Sequence, residues 1–121
     1  MAGEHSVLIV EDDADVRGSL AAILEGEGYT VREAEDGLAA LQQLRAGKPT
    51  CLIVLDLFMP TMNGWKFREE QVKDPNLASI PVVVISADPA AARQAADLGV
   101  AATMPKPVDF DRLLSIVGQY C

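Results

Sequence analysis

The sequence predicts an α/β fold, a doubly wound sheet of five parallel strands built as (βα)5. Short apolar runs of strand length alternate with segments that carry apolar residues at helical spacing, and this alternation occurs five times in 121 residues. Strands that alternate with helices form a parallel sheet with right-handed crossovers and helices on both faces. A chain of this length builds one hydrophobic core, so we expect a single domain over residues 1–121 with no second domain.

The first half of the chain contains two strand–helix units. SVLIV (6–10) is a continuous apolar run, which is typical of a strand covered on both faces. Apolar residues at helical spacing then indicate a helix that ends at Gly28. YTVREA (29–34) alternates as an edge strand does, and a second helix follows and is closed by Gly47.

The second half contains three more units. CLIVLD (51–56) predicts a third strand and residues 65–73 a third helix, which ends at an Asp-Pro pair. PVVVISA (81–87) predicts a fourth strand, followed by a short Ala-rich helix over about residues 89–98. ATM (102–104) is the fifth strand, and the last helix carries Phe110, Leu113, Leu114 and Val117 on one face.

Composition excludes several classes of protein. A net charge of -8 argues against direct nucleic-acid binding and against anionic membrane surfaces. No apolar run approaches the length of a membrane span, and the N-terminus lacks the features of a signal peptide, so we expect a cytoplasmic protein. Cys51 and Cys121 fit neither a disulfide framework nor a zinc site, and we expect two unpaired thiols.

Polar residues gather where the predicted strands end, which is where doubly wound sheets carry their chemistry. They are Glu11, Asp12 and Asp13 after the first strand, Asp56 after the third, Ser86 after the fourth and Lys106 after the fifth. If the first and third strands are neighbours, the acids converge, and a hard divalent cation relieves their repulsion. Mg²⁺ suits such oxygen ligands, and with Lys106 and Ser86 it describes a phosphoryl-transfer site with Asp56 as the nucleophile.

Four motifs in this order resemble the response-regulator receiver domain, the CheY-like phosphoacceptor module of two-component signalling. They are VLIVEDD (7–13), LIVLDLFMPTMNG (52–64), PVVVISA (81–87) and MPKPVD (104–109), and the resemblance covers essentially the whole chain. It implies a flavodoxin-like fold with strand order 2-1-3-4-5. It also implies a phosphoryl group received from a sensor histidine kinase or a phosphotransfer protein.

The resemblance also implies the metal ligands. Taking Val10 as the last strand residue and Arg17 as the Arg of the family pattern, the acid pair maps to Glu11 and Asp12. Asp12 would bind Mg²⁺ directly and Glu11 through water. The Asp56 carboxylate and the backbone carbonyl of Phe58, two residues further on, would complete the protein ligands. Asp13 is either an accessory acid or, with more weight, a cap on the first helix.

The phosphate-binding residues follow in the same way. Ser86 maps to the switch hydroxyl and Lys106 to the phosphate partner of the family pattern, with a cis peptide bond expected between Lys106 and Pro107. Family members commonly carry Tyr or Phe where this chain has Thr103, so an aromatic relay is not expected. Output would then pass through protein contact, phosphate relay or phosphorylation-dependent dimerisation. The chain is either a stand-alone receiver or a piece of a larger regulator or hybrid kinase.

Two other functions stay open at this point. A pseudo-receiver would keep the fold as an interaction module without phosphorylation, although the acid, Ser and Lys residues are all present. A phosphatase of the haloacid dehalogenase type also uses an aspartyl nucleophile and Mg²⁺, but its pattern has a second Asp where Phe58 stands. A phosphatase would turn over repeatedly, whereas a receiver is not an enzyme beyond phosphorylating itself once and losing that group.

Overall fold

The computed structural model describes residues 5–121, in which five parallel strands form one sheet in the order β2-β1-β3-β4-β5. The strands are β1 (Ser6–Val10), β2 (Val31–Ala34), β3 (Thr50–Asp56), β4 (Val82–Ser86) and β5 (Ala102–Pro105). The helices are α1 (Ala14–Gly26), α2 (Gly37–Arg45), α3 (Gly64–Lys73), α4 (Pro89–Ala96) and α5 (Phe110–Tyr120). The predicted doubly wound fold and its strand order are confirmed.

The sheet separates two apolar cores. Successive residues of a strand point to opposite faces, so Val7 and Ile9 of β1 enter one core while Leu8 and Val10 enter the other. Helices α1 and α5 cover the first face with side chains such as Leu24. Helices α2, α3 and α4 cover the second. Burial on both faces explains why β1, β3 and β4 read as continuous apolar runs.

Some element boundaries differ from those predicted. Strand β2 begins at Val31 rather than at Tyr29, because the Tyr29 N–H still bonds the Leu24 carbonyl of α1 after the chain turns at Gly28, where φ is +92°. Helix α3 begins one residue early, at Gly64, with Asn63 as its N-cap. Helix α4 ends at Ala96 instead of residue 98.

The expectation of two unpaired thiols is wrong. Cys51 and Cys121 form a disulfide, with their Cα atoms 5.5 Å apart. Cys51 lies at the start of β3, and α5 runs back along the sheet so that the residue after it ends beside that strand. The two residues are 70 positions apart, and only the packing of α5 against the sheet brings them together.

Arg68 and Gln71, two buried polar residues of α3, hold two loops in place. The Arg68 guanidinium donates to the carbonyls of Leu98 and Gly99, both at 3.1 Å, just beyond α4. It also donates to the Gln71 side chain at 2.8 Å. The Gln71 amide in turn donates to the carbonyls of Leu77 and Ile80 in the connection before β4. The loop carbonyls that these side chains reach are thereby satisfied.

In the described part of the chain, no helix is long and apolar enough to cross a lipid bilayer.

Candidate functional site

The carboxyl ends of β1, β3, β4 and β5 bring the predicted polar residues to one edge of the sheet. Glu11 directly follows β1, and Asp56 is the last residue of β3. These two strands are neighbours, with Val10 opposite Leu55 in the register, so the two acids are carried to the same place. The next pair along the sheet sets Asp56 opposite Ile85, one residue before Ser86. The convergence follows from strand order alone.

Three carboxylates form the centre of this edge. Glu11, Asp12 and Asp56 each offer an oxygen within 4.8 Å of the others. Glu11 is fully buried and Asp56 is 4 % exposed, whereas Asp12 is exposed to solvent. Among the described residues, Glu11 Oε2 is the buried side-chain oxygen that lacks a hydrogen-bond partner. A cluster of three acids with an unpartnered buried oxygen fits a hard divalent cation, which is bound by oxygen ligands.

Lys106 is the cation that faces these acids. Its Nζ lies 2.8 Å from Glu11 Oε1 and 3.5 Å from Asp56 Oδ1. The Lys106–Pro107 peptide bond is cis, as predicted. The Lys106 backbone N–H also donates to the Ser86 carbonyl at 3.0 Å, which fixes the loop after β5 to the end of β4.

Burial and charge shift the pKa values of Glu11 and Lys106. Desolvation is the main cause that raises the pKa of Glu11 to about 7, and the neighbouring Asp56 carboxyl adds to it against the opposing effect of Lys106. Burial alone would lower the pKa of Lys106. Its bond to Glu11 and the charges of Asp56 and Glu11 outweigh burial and hold that pKa above its ordinary value. Lys106 therefore carries a fixed positive charge, whereas Glu11 titrates near neutral pH.

Ser86 is buried at the tip of β4, and its hydroxyl is used within the chain. Ser86 Oγ accepts a hydrogen bond from the Asp88 N–H at 3.1 Å. Asp88 in turn is the N-cap of α4, with its carboxylate accepting from the Ala90 N–H. The hydroxyl thus shapes the turn between β4 and α4.

The three other residues named in the sequence analysis lie in different environments. Asp13 is the N-cap of α1, accepting from the N–H groups of Asp15 and Val16, so the capping interpretation is confirmed. The Phe58 side chain is 53 % exposed, and its ring meets Trp65 edge to face with centroids 5.2 Å apart. Thr103 lies within β5, where its carbonyl faces the Arg112 guanidinium at 3.4 Å.

Two residues contribute to the site in ways that the sequence analysis missed. Arg17 donates to the Glu11 carbonyl at 2.8 Å and pairs with Glu33 at 3.2 Å, which holds the acidic loop against α1. A Cβ atom on Gly64 would lie 2.6 Å from the Asp56 carbonyl oxygen and 2.8 Å from Leu57 Cα. The Asn-Gly pair signals a turn, but nothing in it reveals that α3 begins in contact with the backbone of Asp56.

An open cavity of about 570 Å³ borders the site beside Lys106 and Pro107. Its walls are mainly apolar side chains such as Leu20, Val108 and Phe110, and Asp15 and Ser19 of α1 also line it. The charged edge of the sheet therefore continues into an apolar surface.

Comparison with known proteins identifies a family with this arrangement. The sequence profile described as "Response regulator receiver domain" matches residues 7–118. The response regulator MprA of Mycobacterium ulcerans is 33% identical over 111 residues, which cover 90% of this chain and 47% of that protein. This chain thus spans about half the length of the curated relatives it matches.

Solved structures agree with the sequence comparison. A response regulator receiver protein from Pseudomonas putida has a TM-score of 0.89 at 27% identity, covering 98% of this chain and 99% of its own. The signal receiver domain of a signal transduction histidine kinase from Syntrophus aciditrophicus has a TM-score of 0.86 at 30% identity, covering 96% and 89%. These similarities do not favour the phosphatase or the pseudo-receiver.

Proposed function

The chain belongs to the response regulator receiver domain family, and we propose on this basis that it takes a phosphoryl group onto Asp56 and signals by protein contact. The observation that carries the proposal is the placement of Asp56. It is a nearly buried carboxylate at the tip of a central strand, 3.5 Å from a lysine and within an acidic cluster suited to a divalent cation. We also propose that residues 1–121 form one receiver domain.

The divalent cation is proposed to be Mg²⁺. Asp12, Asp56 and the Phe58 carbonyl would bind it directly, and Glu11 would act through a water molecule. When bound, the ion neutralises charge on the phosphoryl oxygens and draws the carboxylates together. The exposure of Asp12 supports a direct role, because an exposed carboxylate can reach an ion that keeps several waters.

In the transfer step, the bonds form and break at the nucleophile, with its neighbours holding the phosphoryl group. An Asp56 carboxylate oxygen attacks the phosphorus of a phosphohistidine, the P–N bond breaks, and the imidazole leaves with its electron pair. Lys106 then pairs with a phosphoryl oxygen, and the Ser86 hydroxyl turns away from the Asp88 carbonyl, to which it donates at 3.3 Å, and donates to the phosphoryl group instead. Water later attacks the phosphorus, the bond between phosphorus and the Asp56 oxygen breaks, and inorganic phosphate leaves as the carboxylate is restored. The chain therefore phosphorylates and dephosphorylates itself but turns over no separate substrate.

The partners are proposed from the family and from the surface beside the site. The phosphoryl donor is a sensor histidine kinase or a phosphotransfer protein in the cytoplasm. The apolar cavity next to Lys106 supports a protein donor, because an apolar surface can pack against a protein that presents its phosphohistidine to Asp56. Output would pass to a downstream protein target or through a phosphorylation-dependent dimer.

Incubation with acetyl phosphate and Mg²⁺ is expected to add one acid-stable, base-labile phosphoryl group to Asp56. Asp56→Asn keeps the shape of the side chain but removes the nucleophile, so labelling should vanish. Intact-mass spectrometry measures the adduct, with Asp97→Asn, an exposed acid beyond α4, as the matched control that should label normally. Stoichiometric labelling of Asp56→Asn at another side chain would contradict the proposal.

Asp12 and Asp13 are neighbours with different proposed roles, which a pair of variants separates. Asp12→Ala should weaken Mg²⁺ binding by about tenfold or more, because a ligand is lost. Asp13→Ala should leave Mg²⁺ binding unchanged but lower the free energy of unfolding by about 1 kcal/mol, because α1 loses its N-cap. Mg²⁺ titration followed by Trp65 fluorescence, together with urea denaturation, measures both effects. The reverse ranking would place Asp13 in the metal site.

A further inference from the structure

The Cys51–Cys121 disulfide lies at the end of the sheet opposite the acidic site. Cys51 is the second residue of β3 and Asp56 is its last. Five strand positions of about 3.3 Å each separate the two residues by roughly 17 Å. A change at the disulfide therefore leaves the residues around Asp56 in place, and the phosphorylation chemistry does not use either sulfur.

One cysteine of the pair is exposed to solvent. Cys121 is exposed, whereas Cys51 is only partly exposed within its strand. Both line a small cavity of about 130 Å³, together with Gly28 and Tyr29 from the turn after α1. A small thiolate can thus reach the Cys121 sulfur from solvent without unfolding the chain, and accessibility is a main determinant of thiol–disulfide exchange.

The folded state does not depend on this bond for the position of α5. Leu113 and Val117 of that helix are both fully buried in the core shared with α1. The Cys121 backbone N–H bonds the Val117 carbonyl at 2.8 Å, within the last turn. Reduction of the disulfide therefore removes the covalent tie on the residues after Val117 and leaves the rest of α5 packed on the sheet.

We infer that Cys51 and Cys121 form a reversible thiol–disulfide exchange site whose reagents are low-molecular-weight thiols and their disulfides. A thiolate attacks Cys121 Sγ and forms a mixed disulfide, while Cys51 leaves as a thiolate and takes a proton. A second thiolate attacks the small-molecule sulfur of the mixed disulfide and releases the Cys121 thiolate, which takes a proton. The protein disulfide is reduced to two thiols, and two thiols are oxidised to one disulfide.

The disulfide then determines how mobile the last turn of α5 is. In the oxidised chain, that turn is tied to β3, whereas in the reduced chain only Val117 and the helix before it stay packed. Disulfides in a reducing compartment are usually transient or redox-sensing. The redox-sensing role rests on the cytoplasmic location in the proposed function, whereas the exchange chemistry does not.

Equilibration of the full chain in glutathione buffers tests the inference. Samples across a range of ratios of reduced to oxidised glutathione are alkylated with N-ethylmaleimide, and their intact masses are measured by mass spectrometry. We expect zero or two alkylated cysteines, with one sigmoidal transition over roughly a hundredfold change in the buffer ratio, reached in minutes to hours. Near-UV circular dichroism should remain native throughout. Reduction that requires denaturant, or oxidation that yields only glutathione adducts or linked dimers, would overturn the inference.

Single-cysteine variants identify the attacked sulfur. With Cys51→Ser, the remaining Cys121 thiol should form a glutathione adduct several times faster than Cys51 does in Cys121→Ser, because Cys121 is the more exposed. Equal or reversed rates would overturn this assignment. Acetyl phosphate labelling of the same oxidised and reduced samples should agree within about twofold, since the two sites lie at opposite ends of β3. Loss of labelling in both states would count against the proposed function alone.

Discussion

Gly64→Ala is expected to lower the free energy of unfolding by about 3 kcal/mol and to slow phosphoryl labelling of Asp56. The added Cβ would lie 2.6 Å from the Asp56 carbonyl oxygen and 2.8 Å from Leu57 Cα. Both neighbours are backbone atoms, so neither can rotate away as a flexible side chain could. The start of α3 or the tip of β3 must shift, and overpacking of this kind typically costs 1–3 kcal/mol and occasionally more.

Gly18→Ala is the matched control. Gly18 lies inside α1, and no described atom outside its own helix lies within 4 Å of the position that its Cβ would take. The same substitution should stabilise the chain there by up to about 1 kcal/mol, because alanine favours a helix interior. Urea denaturation of both variants gives the comparison, with labelling by acetyl phosphate as the second readout. A Gly64→Ala variant as stable as the parent would show that the contact with the Asp56 backbone is relieved without cost.

The apparent affinity for Mg²⁺ is expected to fall about tenfold for each pH unit below about pH 7. In the metal-free site, burial and the neighbouring Asp56 raise the pKa of Glu11 to about 7. The protonated carboxyl favours the metal-free state and the carboxylate favours the metal-bound state. Binding below pH 7 therefore displaces one proton, and the apparent affinity decreases as protons compete.

The same pKa sets the stability of the metal-free protein. The folded pKa of Glu11 lies above the ordinary value of 4.5, so folding binds a proton between these two values. The stabilisation from Glu11 is complete below about pH 4.5 and is lost as the pH rises through about 7. Mg²⁺ should restore stability at high pH, because it binds the folded chain only.

Glu11→Gln tests both expectations. Glutamine has nearly the same shape and does not titrate, so the variant should bind Mg²⁺ more weakly than the parent above pH 7 but with little pH dependence between pH 6 and 8. Isothermal titration calorimetry in two buffers of different ionisation enthalpy measures the displaced proton directly. If the parent and the variant respond to pH alike, another group is the one that titrates.

The strands and most of the site residues could be predicted because they depend on local patterns, whereas the strand order was implied by the family resemblance. A continuous apolar run that ends in Asp56 predicts a buried strand with an acid at its tip, and the carboxyl ends of parallel strands meet at one edge. Residue spacing does not give distances across the fold. Lys106 lies closer to Glu11 than to Asp56, 2.8 Å against 3.5 Å, and no motif in the sequence reveals which acid it approaches.

Features that depend on packing between distant segments were outside what the sequence could predict. The pairing of Cys51 with Cys121 requires the direction of α5 on the sheet, and the close fit of Gly64 requires the angle at which α3 leaves the site. The boundary of β2 was misplaced because Tyr29 has an apolar ring typical of strands but completes a turn after α1. In each case a tertiary contact overrides a local preference.

The two ends of α4 are held in unlike ways. Its distal end is clamped, because the buried Arg68 of α3 donates to both the Leu98 and Gly99 carbonyls. Its leading end is joined to β4 through the Ser86 hydroxyl, which accepts from the Asp88 N–H at 3.1 Å and donates to the Asp88 carbonyl at 3.3 Å. If the hydroxyl turns towards a phosphoryl group, the leading end is released while the distal end stays anchored to α3. Helix α4 then pivots about its contacts with Arg68, so its displacement is largest beside the phosphorylated aspartate and smallest at Gly99.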